Sequence, residues 1–202
     1  EGKWNQILGD YVKEITGAQT AIPTNSNGAG LVALMTIYKI YFNRINVMIQ
    51  SNTMYGVKTM VPTAGCNLNG YINCRLETLM PNFEDLKKKY SKDCVAVICV
   101  HMGGHPCQME KILPWARKKK LLVIEDCAET CGGMYKNKKL GTWSDISCFS
   151  FEEKKIITTG DGGMICLNNK NKFNKLKSLS FHGWDIDPWQ RHKNSFDKKK
   201  QY

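Results

Sequence analysis

A short apolar stretch that ends in two acidic residues constrains the fold of this chain more than any other feature. Residues 121–124 are Leu-Leu-Val-Ile, and Glu125 and Asp126 follow them directly. Runs of this kind are typical of strands buried in a parallel sheet, and such sheets collect ligands at the carboxyl ends of their strands. A carboxylate there loses hydration and needs a cation or hydrogen-bond donors. The stretch predicts an α/β protein with a ligand site beside Asp126, although Asp126 could instead cap a following helix.

The flanking segments predict that this strand belongs to a parallel sheet. Val95–His101 is a second apolar run, and residues 107–119 between the two runs have helical spacing. This order implies parallel strands joined by a right-handed crossover. No repeat or low-complexity linker divides the chain, so one domain is expected. The other predicted strands are 21–23, 46–50, 146–151 and 163–167. The other predicted helices are 4–16, about 28–41, 53–64, 82–90 and 172–181. Residues 135–139 are predicted to form a surface turn, and the secondary structure of 68–79 stays ambiguous.

Composition limits the classes of protein to which the chain can belong. No run of 18 uncharged apolar residues occurs, so no membrane span is expected. Nine cysteines without the spacing of a disulfide scaffold favour a reducing, cytoplasmic compartment. The net charge of +11 includes short lysine runs that are not interleaved with aromatic residues. A nucleic-acid partner is therefore not expected, whereas an anionic nucleotide substrate would be favoured by the positive field.

A lysine beside a serine and a glycine-rich turn follows the acidic strand. Lys155 comes 29 positions after Asp126, five after Ser150 and three before Thr158, which begins the segment Thr-Thr-Gly-Asp-Gly-Gly. A lysine amine can hold an aldehyde as a Schiff base, an acid can pair with a pyridinium nitrogen, and hydroxyl and amide groups can hold a phosphate. These are the groups that bind pyridoxal 5'-phosphate (PLP), which we predict as the cofactor.

A longer block around these residues resembles a known enzyme family. It comprises Ile124–Thr130, Gly132–Lys136, Gly141–Ile146 and Cys148–Met164. The block is similar to the DegT/DnrJ/EryC1/StrS sugar aminotransferases of the aspartate-aminotransferase fold (PLP-dependent fold type I), and weaker similarity covers 1–202, about the first half of a typical member. The resemblance implies a three-layer α/β/α sandwich with a mostly parallel central sheet. It further implies that residues 1–202 are the PLP-binding large domain, truncated before a C-terminal small domain.

The resemblance also implies roles for Asp126, Ser150 and Lys155. Asp126 is expected to pair with the pyridinium nitrogen and Ser150 to hold the phosphate, unless Ser150 is simply a buried strand serine. Counting from Ser150 and from Thr158 selects Lys155, rather than Lys154, as the Schiff-base lysine. Because neighbouring side chains of an extended segment point to opposite faces, only one of the two lysines is expected to enter the site.

Four further positions are assigned to the cofactor by the same resemblance. The amides of Gly28 and Ala29, at a predicted helix start, are expected at the phosphate, with Ala29 replacing a common threonine. Glu129 is expected near the phenolic oxygen of the cofactor, unless it is a surface acid. Family members have an aromatic residue that stacks on the cofactor ring. Alignment with the family puts this position at Met54, but the adjacent Tyr55 has an aromatic ring and is chosen as the better stacking residue.

Histidines offer two more candidate sites. His182 lies in a segment that resembles a substrate-facing loop of the family, although Gly183 could equally end an ordinary helix. A second group combines His101, His105 and Cys107 with Cys127 and Cys131. The spacing of that group matches no compact zinc site, so no metal is predicted.

The resemblance thus implies PLP-dependent transfer of an amino group from L-glutamate to a nucleotide-linked keto-deoxysugar, in amino-sugar biosynthesis for glycans or polysaccharides. It also implies a homodimer with a shared active site. One alternative is a deoxysugar dehydratase, which has histidine in place of the lysine, so Lys155 argues against it. The other is a non-catalytic homologue or fragment with a regulatory or interaction role.

Overall fold

A seven-stranded sheet forms the centre of the protein. The computed structural model describes residues 2–168. The strand order is β1-β9-β8-β5-β4-β2-β3, in which β3, β2, β4, β5 and β8 are parallel and β9 runs antiparallel to both of its neighbours. The strands are β1 Thr20–Thr24, β2 Asn46–Gln50, β3 Asn67–Ile72, β4 Cys94–Val100, β5 Leu122–Asp126, β8 Ile146–Ser150 and β9 Gly163–Leu167, while β6 Met134–Tyr135 and β7 Lys138–Lys139 form a separate hairpin.

Helices cover both faces of this sheet and complete three layers. The helices are α1 Lys3–Thr16, α2 Asn27–Phe42, α3 Tyr55–Thr63, α4 Phe83–Lys89 and α5 Met109–Lys118. Because side chains alternate along a strand, Ile98 and Ile124 pack with α2 and α3, whereas Val97 and Val123 pack with α4 and α5 on the opposite face. The predicted α/β/α sandwich with a mostly parallel sheet is therefore confirmed.

Two glycines let helix α2 approach the sheet closely. A Cβ atom at Gly30 would lie 3.1 Å from Ile165 Cγ1 and 3.3 Å from Cys148 Sγ. A Cβ atom at Gly163 would lie 2.4 Å from the carbonyl carbon of Ser26, which is too close for any other residue. This contact brings the amino end of α2 to the edge of the sheet where β5 and β8 end.

Several segments differ from the sequence-based expectations. The ambiguous stretch 68–79 forms strand β3 and then a loop. Helix α5 begins at Met109 rather than 107, because the Cys107 amide donates to His101 Nδ1 at 3.1 Å instead of entering the helix. The predicted surface turn at 135–139 is a hairpin whose turn residues, Lys136 and Asn137, have positive φ. The predicted helix 172–181 lies outside the described residues, within which no helix has the length and apolar character needed to cross a membrane.

Candidate active-site cavity

A cavity of about 540 Å³ opens where three neighbouring parallel strands end. Val100, Asp126 and Ser150, the last residues of β4, β5 and β8, all line it. The starts of α2 and α3 line its other side. Of the residues predicted from sequence, the cavity brings together Gly28, Asp126, Glu129, Ser150 and Lys155.

Asp126 is a buried carboxyl group with one unused oxygen. Asp126 is 2% exposed, and its Oδ1 accepts hydrogen bonds from Asn27 Nδ2 at 3.0 Å and from the Ala128 amide at 3.1 Å. Within residues 2–168, Oδ2 has no hydrogen-bond partner. Burial raises the pKa of Asp126, while the hydrogen bonds from Ala128 and Asn27 act in the opposite direction. The remaining oxygen therefore suits a cationic ligand group in the cavity.

Asn27 was not among the residues predicted for the site. It is the first residue of α2 and lies 99 positions before Asp126, so only the tertiary structure reveals the hydrogen bond between them. The one signal in the sequence was its position beside Gly28, in the segment Ser-Asn-Gly-Ala that was predicted to start the helix.

Lys155 lies beside Glu129. Its Nζ is 3.9 Å from Glu129 Oε1, and its side chain is 18% exposed. The other carboxylate oxygen of Glu129 accepts a hydrogen bond from the Gly103 amide at 2.5 Å. Gly103 has φ +64°, a backbone conformation that favours glycine. The loop after β4 thus holds Glu129 next to the lysine.

Both adjacent lysines are among the residues that line the cavity, and the selection of Lys155 over Lys154 stays a prediction. The expectation that only one of them enters the site assumed an extended segment, but the chain turns here. The Lys155 amide donates to the Glu152 carbonyl at 3.0 Å, and the Lys154 amide donates to Glu152 Oε2 at 3.2 Å. In a turn of this kind, neighbouring side chains are not held on opposite faces.

The predicted phosphate-binding groups are only partly available at the cavity. Gly28 and Ser150 line it, and the amides in the first turn of a helix have no acceptor within the helix. Ala29 requires a correction, because its amide donates to the Ser26 hydroxyl at 3.1 Å as part of the cap of α2. The Gly28 amide and the Ser150 hydroxyl are therefore the donors at this end of the cavity.

The structure puts Met54, rather than Tyr55, at the wall of the cavity. Tyr55 is 71% exposed, and its ring centroid lies 5.4 Å from the Lys58 ammonium. The selection of Tyr55 on chemical grounds is therefore not supported, because the start of α3 turns that ring towards Lys58. The role of facing the cofactor ring passes to Met54 as a proposal.

Hydrogen bonds occupy the histidine that was considered for zinc. Polar atoms of His101, Glu125 and Cys127 lie within 4.8 Å of one another in the buried core. The Cys107 amide donates to His101 Nδ1, so the ring proton is on Nε2, which lies 3.2 Å from Glu125 Oε2. Both ring nitrogens are thus used within the fold. The substrate-facing residue His182 lies outside the described part of the chain.

Comparison with known proteins identifies the family. The model of the DegT/DnrJ/EryC1/StrS aminotransferase family matches residues 1–197. The chain belongs to this family. An uncharacterized protein of Methanocaldococcus jannaschii is 33% identical over 195 residues, which are 94% of this chain and 48% of that protein.

Two further relatives carry descriptive names. GDP-perosamine synthase of Escherichia coli O157:H7 is 44% identical over 113 residues, which are 56% of this chain and 30% of the relative. Helicobacter pylori PseC, an aminotransferase involved in the biosynthesis of pseudoaminic acid, has a similar solved structure, with a TM-score of 0.83 at 23% identity. That similarity covers 94% of this chain and 51% of the PseC chain, and it supports the fold. The chain spans about half the length, or less, of the relatives it matches.

Proposed function

We propose that this chain forms the cofactor-binding domain of a PLP-dependent aminotransferase. The enzyme moves an amino group from L-glutamate to a nucleotide-linked keto-deoxysugar, and it acts as a homodimer. One observation carries the proposal. The cavity at the strand ends contains both the buried carboxyl group of Asp126, one oxygen of which has no described partner, and Lys155, whose side chain ends in an amine.

The residues present fit this cofactor. Asp126 Oδ2 would accept a hydrogen bond from the protonated pyridinium nitrogen, and the Gly28 amide and Ser150 hydroxyl would hold the phosphate. Met54 would contact the ring, and Lys155 would bind the aldehyde carbon. Bound PLP supplies an electron-withdrawing ring that stabilises negative charge on the substrate carbon next to the nitrogen.

Each residue has a task in the transfer. Asp126 would keep the ring nitrogen protonated, because a cation beside it stabilises a buried carboxylate. The Lys155 amine would move a proton from the substrate carbon when the cofactor is bound. Glu129 holds the Lys155 ammonium at 3.9 Å when the amine is not covalently bound. The apolar wall, which includes Val57 and Val100, limits the access of water.

Similarity to GDP-perosamine synthase supports a sugar nucleotide as the amino acceptor, because that relative is named for making an amino sugar linked to GDP. The net charge of +11 is compatible with an anionic substrate. Lys155 favours amino transfer over dehydration, since the dehydratases of this family are expected to have histidine there.

A pair of lysine variants tests the proposal on the complete protein. Lys155→Ala should abolish covalent cofactor attachment, detected by borohydride reduction and peptide mass mapping, and it should abolish amino transfer. Lys154→Ala is the matched control and should keep the covalent attachment. Product formation is measured by mass spectrometry with glutamate and a panel of keto-sugar nucleotides. Attachment to Lys154, or no aminated product from any sugar in the panel, would refute the proposal.

A further inference from the structure

The second lysine of the cavity has no role in the chemistry proposed above. Lys154 is one of the residues that line the same cavity as Lys155, residues 152–155 form a turn, and Lys154 is exposed. Lys155 is adjacent to Glu129. Within residues 2–168, Lys154 has no ion-pair partner. The cavity wall therefore contains one cation that no described acid neutralises.

The cavity is also lined by four carboxylates, those of Asp126, Glu129, Glu152 and Asp161. Asp126 is assigned to the cofactor cation and Glu129 to Lys155, which becomes covalently bound in the loaded enzyme. Glu152 also lines the cavity, and one of its carboxylate oxygens accepts from the Lys154 amide at 3.2 Å. That hydrogen bond holds the Glu152 carboxylate against the backbone of the turn. Asp161 is exposed, and its Oδ1 accepts from the Gly162 amide at 2.8 Å. Among the described residues of the cavity, Lys154 is thus the cation without an ion pair when an anionic substrate enters.

We propose that the Lys154 ammonium binds an anionic group of a substrate, either a carboxylate of the amino donor or the diphosphate of the sugar nucleotide. The inference rests on the proposed function, because that function supplies both anions. A flexible lysine at the cavity wall suits either group, since an ammonium acts as a point charge with three rotatable donors. Lys154 is then a binding residue that contributes to substrate affinity and not to the proton transfers.

The carboxylate of Glu152 should oppose the same anion. It lies on the same turn and carries a negative charge into the same cavity. Glu152→Gln keeps an oxygen that can accept from the Lys154 amide but removes the charge. The proposal therefore predicts opposite effects for the two residues: loss of the lysine charge weakens anion binding, and loss of the glutamate charge strengthens it.

Binding of non-reacting ligands tests this directly. Glutarate stands for the dicarboxylate and GDP for the diphosphate, and their affinities for the complete, cofactor-loaded protein are measured by calorimetry. Lys154→Met should weaken one of the two ligands about tenfold, which is the effect of losing one hydrogen bond to a charged group. Lys154→Arg should restore most of the affinity. The ligand that weakens identifies which substrate contacts the lysine.

Matched controls separate a local contact from a general charge effect. Lys92→Met removes an equally exposed lysine from the turn before β4, at the opposite edge of the sheet, and should leave both affinities unchanged. Glu152→Gln should tighten the same ligand a few-fold, whereas Glu153→Gln, an exposed neighbour outside the cavity wall, should not. In steady state, Lys154→Met should raise KM for that substrate and leave kcat unchanged.

The outcomes also separate this inference from the proposed function. If no keto-sugar nucleotide is aminated but Lys154→Met still weakens glutarate or GDP, the function is wrong and the anion site stands. If amino transfer occurs but Lys154→Met changes neither affinity nor KM, the anion site is wrong. A wild-type protein that binds neither ligand would also overturn it, as would a fall in kcat without a rise in KM, because that pattern would indicate an effect on Lys155.

Discussion

Replacing Asp126 with asparagine should make the cofactor-free protein more stable. The buried carboxyl has a pKa above its usual value of 3.8, because burial penalises the charged form more than its hydrogen bonds with Ala128 and Asn27 favour it. A group whose pKa is raised by folding contributes its full stability below pH 3.8 and loses that contribution as the pH rises through its folded pKa. At neutral pH the ionised Asp126 therefore lowers the free energy of unfolding.

The size of the effect follows from the same relation. Asp126→Asn removes the charge and keeps an oxygen that can accept from Asn27 and Ala128. At pH 7 the variant should gain about 1.4 kcal/mol for each unit by which folding raises the carboxyl pKa. In a chain of this length, each kcal/mol corresponds to about 2–4 °C in Tm. Below pH 3.8 the two proteins should have equal stability, since both side chains are then neutral.

Thermal unfolding of the cofactor-free protein, followed from pH 3 to pH 8, checks this prediction. Asp161→Asn is the matched control, because Asp161 lines the same cavity but is exposed. Addition of PLP should reverse the order of Tm: the wild type should gain about 2.7 kcal/mol at a cofactor concentration 100 times its Kd, and the variant should gain less. A variant that is less stable than the wild type at neutral pH without cofactor would refute the reasoning.

Four other substitutions test the remaining architecture of the cavity. Asn27→Ala should weaken PLP binding roughly tenfold in a fluorescence titration, because it removes a donor of about 1.5 kcal/mol from the Asp126 carboxylate. Gly163→Ala should prevent folding, measured as the yield of soluble protein, because its Cβ would lie 2.4 Å from a backbone atom; a normal Tm would contradict the close packing of α2. Met54→Ala should weaken PLP binding several-fold while Tyr55→Ala leaves it unchanged, and the opposite result would restore Tyr55 as the ring-facing residue.

Continuous apolar runs and glycine boundaries made the strands of the central sheet predictable from the sequence. Strand β2 at 46–50 and strand β9 at 163–167 have the bounds expected from the sequence, because each is an apolar segment bordered by polar or glycine residues. The turn at 152–155 was not predictable in this way. Its residues are all charged, so no hydrophobic period distinguishes an extended segment from a turn, and the assumption about the two lysines had no support from packing.

Contacts between distant parts of the chain were also beyond sequence-based prediction. The bond from Asn27 to Asp126 depends on how closely α2 packs on the sheet, which Gly30 and Gly163 allow. The cap at Ser26 is local, yet it occupies the Ala29 amide that was assigned to the phosphate. Local motifs therefore located the helix start correctly, but the tertiary structure and the cap decided which of its donors were free.

Glu125 and Asp126 are adjacent acids on one buried strand, and their surroundings explain why only one suits a ligand. Strand alternation turns them to opposite faces of the sheet. The Glu125 carboxylate accepts from the amides of Gly141 at 2.9 Å and Ser144 at 2.6 Å, and His101 Nε2 donates to it at 3.2 Å. Its oxygens are therefore satisfied within the protein. Asp126, in contrast, has donors on one oxygen and a cavity beside it, so a cation brought by a ligand would complete its environment and bind most tightly there.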